Sequence, residues 1–305
     1  MKKLLFTGAA TALVSPMNKD GSLNLEKYKE LIEFGISEGI DALVAVGTTG
    51  ENAVLSAEEH RSLMKCAVDT AKGRVPVICS TGSNDTEYCI STSKAAEDFG
   101  ADGLLLVTPY YNKCTQAGII KHYERILSQT SLPAIIYNVP SRTGFNISLD
   151  SYKILSQHPQ IMGVKEASGN VGAATGIVST CGDDLPVYSG NDDLIVPLMS
   201  IGAKGVISVL SNILPRITHE ICQHCLDGDF GSAAKLAREY YDLTDVLFCE
   251  VNPIPIKEAL DMAGICEANL RLPLTRLSEE HQTALRVVLE KHGIVKQMSF
   301  TGIIE

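Results

Sequence analysis

Apolar runs that end in small or polar residues alternate with amphipathic stretches along most of the chain. The runs are Gly8–Ser15, Asp41–Gly47, Val75–Thr81, Gly103–Thr108, Ala134–Val139, Ile161–Glu166, Pro186–Gly190 and Gly205–Val209. Each is apolar almost throughout instead of alternating, which is what parallel strands covered on both faces require. Between the runs, apolar residues recur at helical spacing. Leu23-Asn24-Leu25 leads into Tyr28, Leu31, Ile32 and Ile36, and the pattern stops near Gly39. Ser56-Ala57-Glu58-Glu59 reads as a capping box ahead of Leu63, Met64 and Ala67. Eight strand–helix units in succession predict an α/β chain closed into a (β/α)₈ TIM barrel over residues 1–215. An open, doubly wound sheet is the alternative. Residues 216–305 predict a C-terminal helical extension packed on the barrel. About three helical stretches are expected there, separated at Asp227-Gly228-Asp229 and Asn252-Pro253.

Composition narrows the function. A hydrophobic fraction of 45% over 305 residues supports a large core, and no apolar run of membrane-spanning length stands out. The net charge of −10 and the scattered basic residues argue against nucleic acid, which needs a basic face. A small anionic substrate must therefore be held by local positive groups. The nine cysteines are odd in number and show no disulfide framework, so buried thiols in a reducing cytoplasm are expected. Met1-Lys2-Lys3 followed by Leu4-Leu5-Phe6 mimics a secretory signal. Gly8 interrupts it, however, and the run continues through Ala12-Leu13-Val14 as a first strand.

Barrel chemistry gathers at the C-terminal strand ends. There stand Gly47-Thr48-Thr49-Gly50-Glu51, Thr108-Pro109-Tyr110-Tyr111-Asn112, Tyr137-Asn138-Val139-Pro140-Ser141-Arg142, Gly163-Val164-Lys165-Glu166 and Ser189-Gly190-Asn191-Asp192-Asp193. Period-two alternation puts Lys165 on the same face as Gly163 and Ile161. If that face is interior, desolvation lowers the amine's pKa and makes it a nucleophile toward a carbonyl. A lysine snorkelling from a strand end is the plainer reading. The Gly47–Gly50 turn suits a carboxylate at its backbone N–H groups, since no phosphate-loop lysine follows it. Tyr137 and Tyr111, with the Thr48 hydroxyl between them, form a potential proton relay, and Arg142 is a fork for a carboxylate.

Two metal readings fail on spacing. His219 and His224 are separated by i, i+5, which turns the imidazoles about 140° apart on a helix. Cys222 and Cys225 with His219 could supply three zinc ligands, but no fourth stands nearby. Asp192-Asp193 suits a helix N-terminus better than a metal pair.

Taken together, these strings resemble the dihydrodipicolinate synthase family of the N-acetylneuraminate lyase superfamily, from Gly8 to Asn252-Pro253-Ile254-Pro255-Ile256-Lys257. The Gly-Thr-Thr-Gly-Glu turn and the Gly-x-Lys strand mark the superfamily, whereas Tyr137 to Gly144 points to the narrower family. The resemblance implies a class I condensation in which Lys165 forms an imine with pyruvate. It further implies that Thr49 and the backbone at Ile207 hold the pyruvate, and that Tyr137, Thr48 and Tyr111 relay protons, with Tyr111 reaching in from a neighbouring subunit. Arg142 would hold the carboxylate of L-aspartate 4-semialdehyde. A homotetramer built from tight dimers is implied, with neither a metal nor a diffusible cofactor. A sugar-acid lyase of the same superfamily is the alternative, expected to lack Arg142, and a non-enzymatic keto-acid-binding barrel is more remote. In lysine-inhibited relatives the effector binds near the turn after strand two. Ala53, His60, Asn84 and Tyr110 match that pocket here, but Ala57 replaces a histidine and Tyr88 replaces the glutamate that pairs with the effector's ammonium. Glu87 is adjacent, yet one helical residue turns it by about 100°. Weak or absent inhibition by lysine is the expectation.

Overall fold

A computed structural model of the chain describes residue 2 and residues 4–295. Met1 and Lys3 of the signal-like start, and the last ten residues of the expected extension, lie outside the described residues. Eight parallel strands close into a barrel in sequence order. They are β1 (Gly8–Ala12), β2 (Ala42–Ala45), β3 (Val77–Ser80), β4 (Gly103–Val107), β5 (Ala134–Asn138), β6 (Ile161–Glu166), β7 (Val187–Ser189) and β8 (Gly205–Ser208). Each falls within one of the apolar runs. The ring closes where β8 pairs with β1, Gly205 opposite Gly8. A Cβ on Gly205 would lie 1.8 Å from the Gly8 carbonyl oxygen, and both residues have positive φ, so the seam demands glycine.

The helices that follow the strands are α1 (Leu25–Ser37), α2 (Ala57–Ala71), α3 (Thr86–Asp98), α4 (Gln116–Leu127), α5 (Pro140–Thr143), α6 (Leu149–Leu155), α7 (Val171–Cys181), α8 (Ile195–Ser200) and α9 (Pro215–Leu226). The capping box at α2 is formed: Ser56 accepts from the Glu59 amide and Glu59 accepts from that of Ser56. α9 packs against β1, β8 and α8, so it joins the helical ring although it lies beyond residue 215. Four helices follow it, α10 (Phe230–Glu239), α11 (Tyr241–Val246), α12 (Ile254–Met262) and α13 (Glu279–Lys291). Among the described residues there are thus five helices from α9 onward, not about three. α10 and α11 break at Tyr240, whose non-helical backbone no glycine or proline announces. Gly264 and Pro273 mark the gap between α12 and α13 and were a readable signal.

Three apolar clusters hold these layers together. The largest lies between strands and helices and includes Leu43, Leu104, Ile136, Val164 and Val206 from the outward strand faces. A second fills the barrel with Ala10, Ala42, Val44, Ile78, Leu105, Ile135, Tyr188 and Ile207. Phe6 stacks on Tyr188 at 4.5 Å, and the Tyr188 hydroxyl donates to the Phe6 carbonyl at 2.7 Å, which fills the N-terminal end of that interior. The third cluster joins Val14, Leu31, Val209 and Leu210 to Leu243, Leu247, Ile256, Leu260, Leu285 and Leu289. It seats the extension against the strand ends where chemistry is expected. Among the described residues no helix is long and apolar enough to cross a membrane.

Candidate active site

Strand β6 delivers Lys165 to the interior through an irregularity. Ala134 of β5 pairs with Ile161, but Ile135 pairs with Gly163, leaving Met162 as an extra residue in β6. An extra residue inverts the alternation. Ile161 therefore packs outward with Val164, while Gly163 and Lys165 share the inner face. The sequence pattern was right about Gly163 and wrong about Ile161. Gly163 leaves room for the Tyr188 ring, whose Cε2 would lie 3.0 Å from an added Cβ.

Lys165 pairs in register with Tyr137 and Tyr188, and its Nζ lies 4.5 Å from the centre of the Tyr137 ring. Only 7% of Lys165 is exposed. Burial lowers its pKa to about 8, Asp192 opposes that change, and Arg142 adds to it. Tyr137 is equally buried, and desolvation raises its pKa, against pulls from Arg142 and from the Thr48 hydroxyl.

A cavity of about 180 Å³ opens above them at the C-terminal ends of the strands. It brings together Lys165, Tyr137, Thr48, Thr49 and Arg142. In the β2 turn, the amides of Gly50 and Glu51 bond back to Gly47 and Thr48 at 3.0 Å. Those of Thr48 and Thr49 find no acceptor among the described residues, as an anion-binding turn requires. Arg142 sits exposed at the rim, and its Nη2 donates to the Asn252 carbonyl at 3.0 Å. Ile207 is fully buried in the inner cluster and does not line the cavity. Tyr111 stands apart: 92% exposed, with φ of 68°, on the loop after β4.

Several contributors escaped the sequence reading. Asn252, just before α12, donates from Nδ2 to Thr49 Oγ1 at 3.0 Å, so one residue of the extension touches both Thr49 and Arg142. Gly190 makes space for the lysine, since a Cβ there would approach Lys165 Cε to 3.1 Å and the Ala167 Cβ to 2.5 Å. Asp192 does serve a helical N-terminus, though not its own. Its Oδ2 accepts from Val209 and Leu210, at the start of the 3₁₀ turn Leu210–Asn212. His219 is bound to Asp41 at 2.8 Å, and all nine cysteines are free thiols. Among the described residues no cluster of three or more metal-ligating side chains occurs.

The model of the Dihydrodipicolinate synthetase family matches residues 5–292. The 4-hydroxy-tetrahydrodipicolinate synthase of Acetivibrio thermocellus is 44% identical over 295 residues, covering 97% of this chain and all of that protein. The crystal structure of the chloride-inhibited dihydrodipicolinate synthase of Acinetobacter baumannii, complexed with pyruvate, superposes with a TM-score of 0.93 at 42% identity, over 95% of this chain and 99% of that one. A monomeric dihydrodipicolinate synthase variant gives the same TM-score at 38% identity, over 95% of this chain and 98% of its own.

Proposed function

Because the chain belongs to the dihydrodipicolinate synthetase family, we propose that its cavity condenses pyruvate with L-aspartate 4-semialdehyde to 4-hydroxy-tetrahydrodipicolinate, a step toward diaminopimelate and lysine. The observation that carries this reading is a buried lysine of lowered pKa facing a buried tyrosine beneath a carboxylate-sized turn.

The neutral Lys165 amine attacks the pyruvate ketone, and loss of water gives an imine. The Thr48 and Thr49 amides hold the pyruvate carboxylate; Ile207, which does not line the cavity, has no part in this. The imine acidifies the methyl group, Tyr137 accepts its proton, and an enamine forms. Its carbon attacks the aldehyde of the second substrate, whose oxygen takes a proton from the Tyr137, Thr48 and Tyr111 relay. The substrate's own amine then attacks the imine carbon, closing the ring and releasing Lys165. Arg142 meets the aldehyde substrate's carboxylate at the rim. The exposure of Tyr111 in the single chain supports its insertion into a neighbouring subunit of a homotetramer. The free thiols support a reducing cytoplasmic setting.

A steady-state assay with pyruvate and aspartate semialdehyde, run beside N-acetylneuraminate cleavage, tests the reading. Turnover of the first pair alone is expected, and cleavage of the sugar acid alone would refute it. Within that assay, Arg142→Ala removes a charge-assisted contact worth about 1.5–3 kcal/mol. The KM for the aldehyde should rise at least tenfold, by that estimate, while imine formation with pyruvate survives. An unchanged aldehyde KM would reject the assignment.

Regulation by lysine is expected to be weak. The Glu87 carboxylate lies outward, 3.5 Å from Arg125, and is largely exposed. Tyr88 occupies the position where an ammonium would need its anion, and a desolvated ammonium without one costs several kcal/mol. Initial rates at saturating pyruvate should be insensitive to L-lysine. Half-inhibition below about 1 mM, equivalent to roughly 4 kcal/mol of binding, would contradict this.

A further inference from the structure

We propose that Asn252 is a positioning residue for pyruvate, whose side-chain amide fixes the Thr49 hydroxyl as a donor toward the pyruvate carboxylate. The inference rests on the reading that the Thr48–Thr49 turn holds that carboxylate. Asn252 lines the cavity together with Thr49, Arg142, Tyr137 and Lys165, and only 7% of it is exposed. Its Nδ2 donates to Thr49 Oγ1 at 3.0 Å, and its backbone carbonyl accepts from Arg142 Nη2 at 3.0 Å. Side chain and backbone of one residue therefore address two different binding elements of the site.

A hydroxyl that accepts from an amide must turn its own proton elsewhere. Thr49 Oγ1 donates to no other group among the described residues, so its proton is available to an anion in the cavity. Accepting from Nδ2 also polarises the hydroxyl, which makes it a stronger donor. Asn252 does nothing comparable for the fold. It stands just before Pro253, the N-cap of α12, yet its side chain bonds no amide of that helix. Its Oδ1 is sealed from solvent with no partner among the described residues, a cost that an apolar residue of similar size would avoid. The residue is also held in place relative to the turn, since Lys257 of α12 is buried against Glu51.

Steady-state kinetics of Asn252→Ala, Asn252→Asp, Thr49→Val and the Asn252→Ala, Thr49→Val double variant test this. In Asn252→Ala the KM for pyruvate should rise about threefold to tenfold, the range of one lost hydrogen bond. The KM for the aldehyde should hold, because the Arg142 anchor is a backbone carbonyl. Asn252→Asp keeps the volume but replaces the donor with an acceptor that takes the Thr49 proton. Its pyruvate KM should therefore exceed that of Asn252→Ala, whereas a side chain that merely fills space would give the reverse order. In the Thr49→Val background, Asn252→Ala should add little. An unchanged pyruvate KM in Asn252→Ala, equal rises for both substrates, or a milder effect in Asn252→Asp overturns the proposal. If Asn252→Ala fails to fold, Asn252→Asp decides alone, and a wild-type pyruvate KM there overturns it. A wild-type pyruvate KM in Thr49→Val would instead refute the carboxylate assignment, and the proposal with it.

Discussion

Lys165→Ala should abolish condensation, lowering kcat by at least about 10⁴-fold, on the order seen when a covalent nucleophile is removed. Pyruvate with borohydride should add mass to the wild-type enzyme at Lys165 and inactivate it. The variant should stay folded, because truncating this side chain removes an amine whose charge is held at a desolvation cost. Full activity in Lys165→Ala, or labelling elsewhere, would sink the mechanism.

The pH dependence of this step has a definite sign. Only the neutral amine attacks, and burial brings its pKa down from the usual lysine range to about 8. At limiting pyruvate, imine formation should climb about tenfold per unit below that value and level off above it. A free surface lysine would continue climbing past pH 10. The Tyr137 hydroxyl, raised by its own burial, stays protonated across the same range. It therefore accepts the methyl proton only as it passes its own along the relay, which is why Thr48 beside it matters.

The fold was legible because two-sided burial leaves an unambiguous trace. Each strand of this barrel is covered inside by other strands' side chains and outside by helices, so every strand falls within an apolar run, although several runs overshoot their strands by two or three residues. Lys165 stood out for the same reason, as the lone cation in the eight runs. The insertion at Met162 was hidden, because an apolar residue fits either face of a doubly buried strand. Ile161 could therefore be misassigned without any residue looking out of place.

Parts of the site assembled by tertiary contact left no local pattern. Asn252 reaches Thr49 across 203 positions of sequence, and Asp192 spans two loops that period-two or period-3.6 reasoning treats separately. Asp192 looked like the cap of its own helix because acid residues commonly are. The backbone donors it satisfies belong instead to a turn 17 residues away. Arg142 presented the opposite case. Its role is implied by the strand end it follows, but its anchor on the Asn252 carbonyl appears only once the extension is folded onto the barrel.

That dependence on the extension gives the largest expected stability effect. Glu51 closes the Thr48–Thr49 turn with φ of 56°, a left-handed conformation that favours glycine. The turn is held by Lys257 of α12, whose Nζ meets Glu51 Oε1 at 2.5 Å with both side chains wholly buried. Lys257 also donates to the carbonyls of Ser15 and Asn269, and Glu51 Oε2 accepts from the Arg271 amide. Lys257→Met would leave Glu51 as a buried, uncompensated anion, a loss of about 3–5 kcal/mol. Removing both charges, in Glu51→Leu with Lys257→Met, takes away the stranded anion and should recover part of that loss. Urea unfolding of the wild type, Lys257→Met, Glu51→Leu and the double variant would measure the coupling. A Lys257→Met variant within about 1 kcal/mol of wild type, at the level of an exposed pair, would show that the ion pair contributes little to the fold. The double variant carries the functional consequence. With stability partly restored but the turn tied to the extension only through the Asn252–Thr49 bond, its KM for pyruvate should rise, whereas the pH midpoint of imine formation should hold because the groups acting on Lys165 are untouched.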